Sequence, residues 1–158
     1  MMTRYSITKT PVGNLLLHGD GEALCGLWFS GKPRAGWERD DAAFADVARQ
    51  LDEYFAGERR EFDLTLRMQG TDFERSVWQK LREIPYGQTT SYGELALSLG
   101  LTGHGARAVG RANGRNPIAV IVPCHRVIGA DGSLTGFGGG LERKRLLLDL
   151  ESAAVPLF

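Results

Sequence analysis

Apolar residues recur along this chain in three rhythms. In the first third they form short runs: Arg4–Lys9, Leu15–His18 and Ala23–Phe29 read as strands. Pro11-Val12-Gly13-Asn14 and Asp20-Gly21-Glu22 separate them and are good turn sequences, so an antiparallel meander is expected. Ser30–Arg39 carries Gly, Pro and charge and reads as loop. From Asp41 to Phe55 the period changes. Phe44, Val47, Leu51, Tyr54 and Phe55 fall at helical spacing, and Gly57 supplies a stop. Phe62, Leu64 and Leu66 then alternate with Asp63, Thr65 and Arg67, the pattern of a half-buried strand.

Gly70 marks a change of character and divides the chain into domains 1–69 and 70–158. Thr71-Asp72-Phe73-Glu74 is a capping box opening a helix with Phe73, Val77, Trp78 and Leu81 inward, ended by Ile84-Pro85-Tyr86-Gly87. Ser91-Tyr92-Gly93-Glu94 reads as a second box, starting a short helix through Leu99 that Gly100 closes. A third helix is expected from Ala106 to about Gly114, and the two short helices suggest a helix-turn-helix. Arg107, Arg111 and Arg115 share one face of the later helix, where Ala108 and Gly110 are small enough to let it approach a surface. Ile118–Val122 is an unbroken apolar run that requires burial. Ile128–Ser133 is a turn, and Leu134–Gly140 a Gly-rich loop without the Lys-Ser/Thr ending of a phosphate-binding loop. Leu141–Leu150 is the last helix, with Leu146, Leu147 and Leu150 available for packing and Glu151 at its end.

The mixture of sheet and helix gives an α/β (α+β) class: a small antiparallel-sheet domain with a helix, then a mainly helical domain. At 158 residues the chain can bury a real core. No apolar run is long enough to span a membrane, and Met1-Met2-Thr3-Arg4-Tyr5 lacks the apolar stretch of a signal peptide. Cys25 and Cys124 are the only cysteines and form no C-x-x-C, which suits a reducing cytoplasm. With three histidines and no metal-ligand spacing, no metal is expected. The 19 basic residues balance the 19 acidic ones, but unevenly along the chain. Between Glu94 and Asp131 there is no acidic residue, while Arg107, Arg111, Arg115, Arg126, His104 and His125 fall in that window. Such a field suits a polyanion; a solvated face with counter-charges folded in from elsewhere is the competing reading.

The candidate chemistry lies in Pro123-Cys124-His125. Pro123 stiffens the backbone after the apolar run and so presents the thiol from the core. The thiolate is the reactive form of Cys, and His can act as its base. Taken alone, the pair reads equally as a buried structural Cys beside a hydrogen-bonded His. A third group orienting the His would favour catalysis. Glu151 is the candidate, although spacing does not separate it from Asp131 or Asp149. A reactive Cys following a helix-turn-helix within a basic window points to chemistry on DNA, where the base must leave the stack.

Pro123-Cys124-His125-Arg126-Val127-Ile128-Gly129 resembles the active-site signature of the O6-alkylguanine-DNA alkyltransferases (methylated-DNA–protein-cysteine methyltransferases). The resemblance extends over Thr71-Asp72-Phe73, Ile84–Gly87, Ser91–Leu95, Ala106–Gly110, Asn116-Pro117 and Gly139-Gly140-Leu141, more loosely over the amino-terminal third. It implies an RNase H-like first domain and a winged-helix-like second one. It implies direct displacement: Cys124 takes the alkyl group from guanine O6, or from O4-alkylthymine, irreversibly and once per molecule. The implied hydrogen-bond chain is Glu151–His125–water–Cys124, with Tyr92 donating a proton to the base. Arg107 matches the arginine finger that fills the gap left by the flipped nucleotide. The later helix would enter the minor groove of double-stranded DNA, a narrow fit that small Ala108 and Gly110 suit; Arg111 is a DNA-contact candidate at a position that varies within the family. Val127, Phe137 and Gly138 would line the lesion pocket, and Asn116 would brace the turn beside Pro123. No cofactor is implied.

The chain departs from the family's pattern in places. Many members carry Tyr where this chain has Phe137, and Gly138 offers only backbone. The zinc ligands of some members and the Cys-rich domain of fused relatives are missing from this sequence. The expected species is a monomer, with cooperative binding along DNA left open. Two rivals remain at this stage: a non-catalytic alkyltransferase-like lesion-binding protein, a type that characteristically replaces the nucleophilic Cys, and a cysteine hydrolase unrelated to DNA.

Overall fold

The computed structural model describes residues 2–135, 137 and 139–154. The chain folds as two compact units, Met1–Gln69 and Gly70–Phe158. In the first, β1 (Arg4–Thr10), β2 (Gly13–Gly19) and β3 (Leu24–Phe29) form the antiparallel meander, with Ile7 opposite Leu16 and Leu17 opposite Leu27. The stretch read as loop ends in a short strand instead: β4 (Glu38–Arg39) adds to β1 in parallel, giving the sheet order β3-β2-β1-β4. Two residues are too short for any period to show. Asp40 caps a 3₁₀ turn at Asp41–Phe44, which leads into α1 (Ala45–Phe55). Val47, Leu51 and Tyr54 of α1 are buried, as are Leu15, Leu17 and Leu27 of the sheet.

The alternating segment 62–66 is not a strand. It makes one parallel bridge, Leu66 to Leu24. Buried Gln50 takes over part of its backbone hydrogen bonding, accepting from Asp63 N at 2.9 Å and donating to Asp63 O at 3.0 Å. Alternation reports which side chains are covered; the ladder depends on partners that it does not reveal.

The second unit begins with α2 (Asp72–Leu81) under a complete Thr71–Glu74 capping box. Val77, Trp78 and Leu81 point inward, but Phe73, expected with them, is 37% exposed. A Cβ on Gly70 would stand 2.5 Å from the Trp78 ring, so only glycine fits there. The Trp78 indole donates to Ala112 O at 2.8 Å and ties α2 to the helix α4 (Gly105–Gly114). Before α4 come β5 (Thr90–Ser91) and α3 (Tyr92–Ser98). Ser91 caps α3 from its hydroxyl. The reciprocal half of the expected box is absent; the Glu94 carboxylate takes the Thr90 hydroxyl instead, at 3.2 Å. Helices α3 and α4 pack as a pair through Ala96, Leu101 and Gly105. Parallel pairing of β5 with β6 (Val127–Ile128) brings the start of α3 beside the segment that follows Cys124. The last helix, α5 (Leu141–Ala154), runs past the expected end at Leu150. It buries Leu147, while Leu146 is 48% exposed, one step off the inward face. No helix among the described residues is long and apolar enough to cross a membrane.

Candidate active site

Every residue from Asn116 to Val127 is buried. The apolar arm that delivers Cys124 is a string of tight turns. Val120 sits in the left-handed region at φ 72°, a conformation that costs a β-branched residue on the order of 1–3 kcal/mol. Asn116 holds the string together. Its amide oxygen accepts from Ile118 N at 3.0 Å and its nitrogen donates to Val122 O at 2.8 Å. Asn113, also buried, donates from α4 to Cys124 O at 3.4 Å. The carbonyls on either side of Pro123 are thus both held by asparagines at the end of α4.

Cys124 and His125 lie on one 3₁₀ turn, Cys124–Arg126. His125 is fully buried, and its Nε2 lies 2.7 Å from Glu151 Oε2. Of the three acidic candidates, the fold selects Glu151; Asp131 and Asp149 are exposed. Arg126 grips the same carboxylate, donating from Nε to Oε1 at 2.8 Å and from Nη2 to Oε2 at 3.0 Å. Its Nη1 donates to Ile84 O at 2.7 Å. No hydrogen bond joins His125 to Cys124 directly; His125 Nδ1 is buried with no partner among the described residues.

The electrostatics follow from this packing. Burial alone would push the Glu151 carboxyl up, but the hydrogen bonds from His125 and Arg126 outweigh it and hold the group at about 2. Glu151 is therefore a fixed anion. Burial pushes the His125 imidazole below its ordinary range against the pull of Glu151, so it is neutral at pH 7 and free to take a proton. Burial pushes the Cys124 thiol up to about 11, opposed by the Asn116 side chain and the Lys144 ammonium. The thiol is protonated at rest and needs a base to ionise. A carboxylate behind a neutral imidazole behind a buried thiol can supply one.

Around this core stand the remaining predicted residues. Tyr92, at the start of α3, donates its hydroxyl to Thr135 O at 3.1 Å. Val127 is buried, and its carbonyl accepts from Lys144 Nζ at 2.6 Å. Phe137 is half-buried; Gly138 lies outside the described residues. On α4, Arg107 and Arg111 are exposed, and Ala108 and Gly110 are partly so. A Cβ on Gly110 would meet the Tyr92 ring only at 3.8 Å, an ordinary contact, so internal packing does not require glycine there. The basic window is narrower than its count of cations. Arg126 is buried against Glu151, and Arg115 reaches Glu74 at 3.4 Å. For Arg126 a counter-charge folded in from elsewhere is the correct reading, while Arg115 remains exposed beside Glu74. Among the described residues no three His, Cys, Asp or Glu side chains gather as metal ligands would.

Three participants escaped the sequence reading. Arg126 was counted only as surface charge. Asn113 carries no signal of its own in the sequence. Lys144 hides in the charged run Glu142–Arg145, yet it precedes Leu147 by three residues and Glu151 by seven, the spacing of one helix face.

Two family models cover the chain: the 6-O-methylguanine DNA methyltransferase ribonuclease-like domain over residues 3–68, and the DNA-binding domain of the same family over residues 72–153. A methylated-DNA–protein-cysteine methyltransferase from Mycobacterium tuberculosis is 52% identical over 98% of this chain and 96% of its own length. One from Methanosarcina acetivorans is 49% identical over 94% of this chain and 98% of its own. Among solved structures, M. tuberculosis O6-methylguanine methyltransferase superposes with a TM-score of 0.91 at 50% identity, covering 99% of this chain and 97% of that one. The M. tuberculosis protein in complex with DNA superposes at 0.89 and 51% identity, covering 99% and 96%.

Proposed function

The chain belongs to the 6-O-methylguanine DNA methyltransferase family, and from that premise we propose how its own residues repair alkylated DNA. It is a methylated-DNA–protein-cysteine methyltransferase and a DNA-binding protein. The substrate in this reading is O6-alkylguanine in duplex DNA, with O4-alkylthymine as a further substrate, and the acceptor is Cys124. The observation that carries the assignment of the acceptor is the buried Glu151–His125 pair, 2.7 Å apart, immediately behind that thiol.

The step balances simply. His125 takes the thiol proton through a bridging water at Nδ1, and the Glu151 carboxylate stabilises the imidazolium that forms. The sulfur attacks the alkyl carbon: an S–C bond forms, the C–O6 bond breaks, and guanine leaves with the electron pair. Tyr92 supplies a proton to the departing base, so its hydroxyl must turn from Thr135 O to the ring. The thioether is inert, which makes each molecule a single-use acceptor. The reaction needs no cofactor, since the DNA is itself the alkyl donor.

For DNA, we assign α4 to the minor groove. Exposed Arg107 would fill the stack behind the flipped nucleotide, Arg111 would meet the phosphates, and Ala108 and Gly110 would allow the close fit. Val127 and Phe137 would line the base pocket with Gly138. The working species in this reading is a monomer in the cytoplasm, and two cysteines outside any disulfide fit that reducing compartment. The non-catalytic rival lacks support, because Cys124 is present, and the relatives named above favour the methyltransferase reading over the hydrolase one.

Cys124→Ala tests the assignment. The variant is expected to bind a duplex with one O6-methylguanine in preference to the unmodified duplex, yet to take up no methyl group. Methyl uptake by this variant would remove Cys124 as acceptor.

A further inference from the structure

Two buried side-chain atoms flank the nucleophile and have no hydrogen-bond partner among the described residues: His125 Nδ1 and Asn113 Oδ1. The ring of His125 is fully covered, and Asn113 is 2% exposed. A buried polar atom left unpaired costs stability, and in native proteins an ordered water often satisfies it. What each atom can do is fixed by the other end of its own side chain. Glu151 is ionised and can only accept, so His125 Nε2 carries the ring proton toward it at 2.7 Å. In the neutral ring, Nδ1 is then a bare acceptor. Asn113 meets Cys124 O at 3.4 Å. Only its nitrogen can donate to that carbonyl, so its oxygen is turned away and is a second bare acceptor.

Asn116 shows the contrast. Both ends of its amide are engaged, with Ile118 N and with Val122 O, so its place is explained by the turns it braces. Asn113 spends one end and strands the other. It lies on the inner face of α4 with Val109 and Ala112, where an apolar residue would pack with no acceptor to satisfy. Its oxygen therefore calls for a role. The thiol completes the set. Burial keeps Cys124 protonated at rest, so its S–H is a donor. A water molecule has two O–H groups to give and lone pairs to receive. One water can donate to His125 Nδ1 and to Asn113 Oδ1 while it accepts from the thiol, and three such bonds are typical of a buried water. With its second O–H held by Asn113, the first is aimed at the imidazole.

We propose that Asn113 is a positioning residue for the proton relay, its Oδ1 anchoring the water between Cys124 and His125 so that one O–H points at Nδ1 and a lone pair at the thiol. When the thiol ionises, its proton passes to the water and a water proton passes to Nδ1. Glu151 holds the imidazolium, and the sulfur keeps the electron pair with which it attacks the alkyl carbon. The proposal rests on the alkyl-transfer reading above and adds a third anchor for the water in the Cys–His–Glu chain.

A double-mutant cycle tests it, with Asn113→Leu, His125→Ala and the two combined. Leucine keeps the volume and suits a helix but removes the acceptor. Two rates are followed at neutral pH: modification of Cys124 by iodoacetamide in the free protein, and methyl uptake from a duplex carrying one O6-methylguanine. Asn113→Leu alone should slow both by roughly tenfold or more, because the base loses its oriented water. In the His125→Ala background the same substitution should change either rate by less than about twofold, since no base is left for the water to serve. Losses that simply multiply would mean that Asn113 acts through the fold alone and would overturn the proposal. An Asn113→Leu chain within about twofold of wild type would overturn it too. Where a variant does not fold, a crystal structure of the wild-type chain showing ordered waters decides. A water within hydrogen-bond distance of Asn113 Oδ1, His125 Nδ1 and Cys124 Sγ supports the relay, and a site whose water misses Asn113, or that holds none, overturns it. A wild-type chain that takes up no methyl from the duplex would sink the alkyl-transfer reading instead, and the iodoacetamide cycle would still report on the relay.

Discussion

At the residue scale, one carboxylate organises the site. Glu151 accepts from His125 and from two nitrogens of Arg126, so it stays ionised although buried. Its folded value of about 2 lies below the ordinary ~4.3. A depressed carboxylate contributes stability that is present above the unfolded value and lost as pH falls through the folded one. Cys124 works in the opposite sense, because its folded value of about 11 lies above the ordinary ~8.5. Its contribution is present below about pH 8.5 and lost as pH rises toward 11. Thermal unfolding followed by circular dichroism should therefore give a Tm plateau from about pH 5 to 8, falling on both sides. Cys124→Ala should flatten the alkaline fall and leave the acid one. Glu151→Gln strands the Arg126 cation in the core, costs about 3–5 kcal/mol and lowers the whole plateau. An alkaline fall that persists unchanged in Cys124→Ala would assign that limb to another group.

At the scale of elements, α4 serves two sides. Its inner face, Val109, Ala112 and Asn113, is buried; its outer face carries Arg107 and Arg111. Gly110 sits between them. A mid-helix glycine costs roughly 0.5–1 kcal/mol against alanine, and the 3.8 Å approach to Tyr92 leaves room for a methyl group. Gly110→Ala should raise stability by about that amount, read as a higher Tm. If α4 enters the minor groove, the same variant should bind duplex DNA more weakly. A stabler variant with undiminished DNA affinity would take Gly110 out of the interface. Elements were legible where local chemistry decides them. The Thr71–Glu74 box, the meander turns and the apolar face of α1 each carry a signal within a few residues of where it acts. The segment 62–66 and β4 were misread because a strand is settled by its hydrogen-bonding partner. The missing half of the Ser91 box turned on a rival donor, Thr90, one residue outside the motif.

At the scale of the whole molecule, the sequence and the family agree on the chemistry more closely than on the surface. Cys124 and His125 are adjacent in the chain, so their proximity was legible; Glu151, 26 residues after His125, was one of three acidic candidates until α5 set it 2.7 Å from the His125 ring. The basic window looked like six candidate cations; folding withdraws Arg126 and His125 from it by burial, and sets a carboxylate, Glu74, beside the exposed Arg115. Burial of that kind is a property of the packed chain and leaves no trace in a charge count. In the proposed reaction one methyl group moves from DNA to Cys124 and stays there. Intact-protein mass spectrometry after mixing with excess duplex carrying one O6-methylguanine, followed by peptide mapping, tests it most directly. A single added methyl on the peptide holding Cys124, saturating at one per chain, is the expected result. A folded, reduced protein that binds the lesion but gains no mass, or gains it at another residue, would contradict it.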